Sequence, residues 1–215
     1  MGVYVYVDGF NFYYRLFKNR HRRHSLPRAY KWLDIHSLCR ALLPTEQIDW
    51  IGYFTAYVRP SSNDPYQHER QRAYLEALKT IPCLEIIPGN FLSVRKWGIP
   101  IGASPPIPIE FTAFEEKGSD VNLACRMVLD AVQHSFSKAV VFTNDGDLRE
   151  PIRIVAQDLG LPVTVISPDT NVNGSLRNVA TASMPLDIKL LKRCVFPDKL
   201  TNTDGVIITK PANWA

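Results

Sequence analysis

Four aspartates stand where runs of regular structure are expected to begin or end. Asp8 closes the strand-like run Val3 to Val7, and Asp145 and Asp147 follow Val140 to Thr143 in the segment Thr143-Asn144-Asp145-Gly146-Asp147. Asp120 heads a stretch of helical spacing. In open α/β sheets, ligands sit outside the carboxyl ends of the strands, so acids from three chain segments are expected to meet in one cleft. Gathered carboxylates repel one another unless a cation neutralises them. With no His or Cys among them, an oxygen-only set selects a hard ion, Mg²⁺ or Mn²⁺, over zinc. Such an ion activates water and offsets charge growing on phosphoryl oxygens, which is what phosphodiester hydrolysis requires. Asp8, Asp120, Asp145 and Asp147 are the candidates to surround such an ion and to take part in catalysis.

Other residues fit around that cleft. Asn11, about one helical turn after Asp8, is placed to orient an acid or a water. Lys117, just before Gly118-Ser119, is placed to hold a scissile phosphate or to offset the acids. Thr143 and Asn144 are placed to hydrogen-bond the acids or the phosphate. Each acid also has a purely structural explanation. Asp8-Gly9 reads as a turn, and Asp147 with Glu150 forms an acidic variant of the capping box, making Asp147 an N-cap. Asp120 stands where any helix welcomes a negative charge. Convergence on one edge favours the functional reading over three separate accidents.

The net charge of +4 is unevenly spread. Between Asp8 and Asp34 there is no acid, while Arg15, Lys18, Arg20, Arg22, Arg23, Arg28 and Lys31 supply seven positive charges, so the remainder sums to −3. His21 and His24 add charge below neutral pH. A patch of this kind attracts a polyanion through phosphate contacts, and Tyr13, Tyr14, Tyr30 and Trp32 offer rings on which bases stack. Arg15, Lys18, Arg20, Arg22 and Arg23 are the expected nucleic-acid contacts, beside Thr143 and Asn144. A solvated, mobile loop is the plain alternative.

The elements that must position these groups alternate strand and helix. Strands are expected at Val3 to Val7, Trp50 to Val58, Cys83 to Ile87, Ala139 to Thr143 and Val163 to Ile166. Helices are expected after Asp8 and over Leu33 to Leu43, Tyr66 to Ile81, Ser119 to Gln133, Leu148 to Leu159 and Ser175 to Ala180. Phe91 to Trp97 and Ile109 to Glu115 pair as a hairpin around Gly98 to Pro108, whose four prolines exclude helix. Five strands joined by helices imply parallel pairing through right-handed crossovers, an α/β sheet with helices on both faces. Residues 1–196 form the expected domain and 197–215 a C-terminal extension without periodicity.

Three blocks now resemble a known family. Tyr6-Val7-Asp8-Gly9-Phe10-Asn11-Phe12-Tyr13, Glu116-Lys117-Gly118-Ser119-Asp120-Val121-Asn122-Leu123 and Thr143-Asn144-Asp145-Gly146-Asp147-Leu148 resemble the signature blocks of NYN-domain proteins of the LabA-like type, within the PIN-like nuclease superfamily. Gln71 to Leu78 and Pro88 to Phe91 are similar to the family as well. The resemblance implies a PIN-like five-stranded sheet of order 3-2-1-4-5 and a metal-dependent ribonuclease site. It carries a metal-binding or catalytic role onto Asp8, Asp120 and Asp145, with Asn11 and Asp147 in support. Gly146 replaces the Ser many members have between the last two acids, and Leu148 the aromatic residue that often follows them. The acids themselves are intact.

The expected function is therefore a Mg²⁺- or Mn²⁺-dependent endoribonuclease acting on RNA, with single strands favoured and DNA open. The alternative is a non-catalytic RNA-binding or regulatory module of the same fold. A haloacid-dehalogenase-like phosphatase is disfavoured because Phe10 stands two residues after Asp8, where that chemistry needs a second Asp. Dinucleotide binding lacks its Gly-x-Gly-x-x-Gly. No window approaches the roughly 18 apolar residues of a membrane span, and Asp8 comes too early for a signal-peptide core. Cys39, Cys83, Cys125 and Cys194 lie far apart, so neither a zinc cluster nor a disulfide framework is expected, and a cytoplasmic location follows. Trp97 and the proline-rich loop are a possible homodimer contact.

Overall fold

The computed structural model describes residues 1–18, 25–61 and 64–214. Arg20, Arg22 and Arg23 lie outside the described residues. The central sheet is built from β1 (Val3–Asp8), β2 (Ile48–Thr55), β3 (Leu84–Pro88), β6 (Lys138–Phe142), β7 (Val163–Ser167) and β8 (Ala182–Pro185). Between β3 and β6 in the chain, β4 (Asn90–Gly98) and β5 (Ile109–Lys117) form a separate antiparallel hairpin. The sheet runs β3-β2-β1-β6-β7-β8, and every pairing in it is parallel.

The expected sheet of five strands in order 3-2-1-4-5 is corrected: the described residues form six, in order 3-2-1-6-7-8. The sixth, β8, pairs Thr164↔Ala182 through Ser167↔Pro185. Its four residues, Ala-Ser-Met-Pro, are largely exposed and end in proline, so neither hydrophobic alternation nor β propensity marks them. Backbone pairing to an open edge makes this strand.

Side-chain alternation along β1 separates two cores. Val3, Val5 and Val7 pack on one face with Phe12 and Leu16 of α1 (Gly9–Phe17), Leu38 of α2 (Ile35–Leu42) and Leu75 and Leu78 of α3 (Gln67–Leu78). Tyr6 points to the opposite face, among Leu123, Met127 and Ala131 of α4 (Ser119–Val132) and Ile152 of α5 (Arg149–Arg153). The Tyr6 hydroxyl donates to Asp130 Oδ2 at 2.8 Å, and Arg126 Nε donates to the same carboxylate at 2.9 Å, so a buried acid on α4 is tied to the middle of β1.

The helix expected over Leu148 to Leu159 is not uniform. A 3₁₀ turn (Gly146–Leu148) leads into α5, and residues 154–158 widen into a π turn in which the Leu159 N–H reaches the Ile154 carbonyl. Leu148, Ile152 and Val155 are nevertheless all buried. After α6 (Gly174–Arg177) and β8, the chain continues through a small antiparallel pair, β9 (Lys199–Thr201) and β10 (Ile207–Thr209). Ile208 and Trp214 from this segment enter the α1–α3 core, where the Trp214 ring lies 6.3 Å from both Trp32 and Tyr74. No helix of the described residues is long and apolar enough to cross a membrane. Cys39, Cys83, Cys125 and Cys194 are free thiols.

Candidate active site

Asp8 occupies the junction of β1 and α1, where one carboxylate does two local jobs. Its Oδ1 accepts the Asn11 backbone N–H at 3.0 Å and so caps α1, while Oδ2 accepts the Thr143 hydroxyl from the end of β6 at 2.9 Å. It is 3% exposed. Burial raises its pKa to about 7; Asp120 and Asp145 add to the rise, and the two hydrogen bonds oppose it. The Thr143 hydroxyl in turn accepts the Asp145 N–H at 3.0 Å, so a single buried side chain fixes the spacing of two acids.

Asp145 stands three residues beyond the end of β6 at Phe142. Its Oδ1 accepts the Asp147 N–H at 3.1 Å, capping the 3₁₀ turn. The expected structural alternative for Asp147 is thus overturned: Asp145 is the cap, and Asp147 is exposed on the turn itself. Asp120 comes from the first turn of α4. Its pKa is raised by burial first, then by Asp145, Glu116 and Asp147. These acids therefore act on one another across a common space, and no hydrogen-bond or ion-pair partner of the Asp120 carboxylate is found among the described residues.

Glu116 was not foreseen as part of this corner. Its Oε1 accepts both the backbone N–H (3.0 Å) and the hydroxyl (2.6 Å) of Ser119, capping α4 where Gly118, at φ +95°, has no side chain to do so. Asp169 was missed too, although it stands two residues beyond the end of β7, at the same edge of the sheet as Asp8 at the end of β1. It accepts Asn144 Nδ2 at 3.0 Å and pairs with Arg15 at 3.3 Å. Asn144 joins the neighbouring loops: its N–H donates to Asn11 Oδ1 at 3.0 Å, and its own Oδ1 accepts the Asn173 N–H at 2.7 Å. The rule that flagged Asp8 and Asp145 would have found Asp169; nothing local marks Asn173.

The remaining expected residues divide. Asn11, Thr143 and Asn144 meet at the acid edge as described. Arg15 is held by Asp169 at that same edge. Lys117 is exposed and paired with Glu115 at 3.0 Å, and its described contacts include none of the clustered aspartates. Lys18 lines a cavity beside α1.

In its chemistry this donor set matches a hard cation: carboxylate oxygens alone, with Asp8 buried and Asp145 opposing the ionisation of both Asp8 and Asp120. Among the described residues no three His, Cys, Asp or Glu side chains close into a ready-made ligand shell.

Residues 2–187, the span that contains every one of these acids at the edge, match the model of the NYN domain. The chain belongs to the NYN domain family. This NYN protein is 28% identical over 199 residues to 6-hydroxy-3-succinoylpyridine 3-monooxygenase of Pseudomonas putida, a match covering 80% of the chain. It spans only 61% of the length of that curated relative. Among solved structures, a protein of unknown function from Vibrio parahaemolyticus shares the fold, with a TM-score of 0.53 and 17% identity over 86% of this chain and 93% of that one.

Proposed function

We propose that this NYN protein is a metal-dependent ribonuclease, endonucleolytic in mode, acting at the acid edge. The observation that carries the reading is the buried Asp8 carboxylate, held between α1 and Thr143, with its ionisation opposed by Asp120 and Asp145. Asp8, Asp120 and Asp145 would hold Mg²⁺ or Mn²⁺. When bound, the ion would supply an activated water and neutralise charge on the phosphoryl oxygens. The chain's own part is positional. Thr143 keeps the Asp8 and Asp145 segments in register, Asn11 and Asn144 lock α1 to the loop after β6, and Glu116 steadies the turn that presents Asp120. Asp147, exposed beside them, is placed to accept a proton from solvent. RNA is the proposed partner, attracted by the positive charge that the sequence concentrates between Arg15 and Lys31.

The test is incubation of purified protein with labelled single-stranded RNA and matched DNA, in Mg²⁺, Mn²⁺ or EDTA, beside Asp145→Asn. Asp145→Asn keeps an oxygen to cap the turn, so folding should persist while cleavage falls by at least about a hundredfold. Equal metal-dependent cleavage by the pure variant would sink the assignment. Salt-sensitive RNA binding without product under either ion would leave the non-catalytic module.

A second reading has one observation in its favour. The Pseudomonas relative is by name a monooxygenase acting on a substituted pyridine, which makes a reaction on a small aromatic molecule the alternative class. Turnover of such a compound by protein that leaves RNA intact would decide for it.

A further inference from the structure

A cavity of about 580 Å³ lies between α1, the turn around Arg28–Lys31 and α3, and none of the clustered acids lines it. That volume falls in the range of about 300–1,000 Å³ typical of small-molecule sites. Rings of Tyr13, Tyr14, Phe17, Tyr30, Tyr53 and Trp214 line it. The same wall carries Lys18, Arg28, Lys31 and Arg70, and a single acid, Asp64, which Arg70 engages as an ion pair. Among the described residues no carboxylate comes within ion-pair distance of Lys18, Arg28 or Lys31.

Lys31 is the most telling of these groups. Its ammonium lies 5.4 Å from the centre of the Tyr13 ring and 5.8 Å from that of Phe17, half-buried, with Arg28 and Arg70 adding repulsion. Holding a cation there costs solvation, and the aromatic faces return only part of it. Flat walls and surplus positive charge together describe one ligand chemistry.

We propose that this cavity binds a planar aromatic ring bearing an anionic group, the ring between the tyrosines and Trp214 and the anion on Lys31 and Arg28. A nucleoside monophosphate has this chemistry, whether free or as one unit of an RNA strand, and so does an aromatic carboxylate. The cavity reaches the acid edge: Gly9 and Thr55 line it, next in the chain to Asp8 and to its ladder partner Phe54. Binding here does not depend on the nuclease reading.

The test is calorimetric titration of the full chain in EDTA, in the Asp145→Asn background so that no strand is cut. The probes are 5′-AMP, adenosine, inorganic phosphate and benzoate. The expected result is that AMP binds at least about tenfold more tightly than adenosine or phosphate alone, and that Lys31→Met, Arg28→Met and Tyr13→Leu each weaken it about tenfold. Arg95→Met, on the exposed hairpin, should leave it unchanged. Displacement of AMP by a six-nucleotide RNA, itself weakened by Lys31→Met, assigns the site to a strand. AMP or benzoate binding that RNA does not compete assigns it to a free small molecule. Phosphate binding as tightly as AMP, no binding of AMP and benzoate, or full affinity in folded Lys31→Met and Arg28→Met overturns the proposal.

Discussion

At the scale of single residues, Asp8 links stability to acidity. Its folded-state pKa of about 7 lies well above the unfolded value of 3.8, so the folded chain prefers the protonated form. Its contribution to stability is complete below pH 4 and is lost as pH rises towards and through 7. Replacing it with Asn removes the titration while retaining an acceptor for the Asn11 N–H. In EDTA, Asp8→Asn should therefore be more stable than the wild type at pH 8, by about 2–4 kcal/mol, and the advantage should vanish near pH 4. Urea midpoints of the two proteins across that range check it. A constant difference would mean that the carboxylate is solvated rather than buried.

Secondary-structure elements approach one another closely where the site is made. A Cβ on Gly9 would lie 2.8 Å from the Phe54 carbonyl oxygen and 2.9 Å from the Tyr53 ring, because α1 starts directly against β2. Backbone cannot yield as a flexible side chain does, so Gly9→Ala must tilt α1 and move the Asp8 cap with it. The expected cost is about 1–3 kcal/mol, with a larger fall in cleavage than in RNA binding. On the other face, Asp130 joins α4 to β1 through Tyr6 and Arg126. Asp130→Ala strands the Tyr6 hydroxyl and should cost about 2–4 kcal/mol in chemical denaturation. Asp120, ten residues earlier on the same helix, would lose its fixed position as well.

Across the whole molecule, the last residues return to support the first helices. Trp214, 7% exposed, fills space beside Trp32 and Tyr74 and forms part of the cavity wall. Trp214→Ala should lower stability by about 3–5 kcal/mol and weaken AMP binding, whereas truncating the exposed Val206 side chain should do neither. Thermal melts with and without AMP separate the two effects.

Asp8, Asp120 and Asp145 were legible because each obeys a local rule, an acid at the end of a strand or the head of a helix, and because their blocks carry family character. The parallel sheet and its two-faced helices were legible from alternation and spacing, which encode burial directly. Other features had no local signal. β8 exists because β7 offers an unpaired edge, and Glu116 caps α4 only because Gly118 turns the chain back on itself. Trp214 looked like part of an aperiodic tail, and the cavity draws Tyr13, Lys31, Arg70 and Trp214 from four separate segments. Residue type and periodicity determine which groups are acidic, apolar or helical. Which of them become neighbours across the chain is decided by tertiary packing, since contact between distant segments depends on the closing of the whole fold.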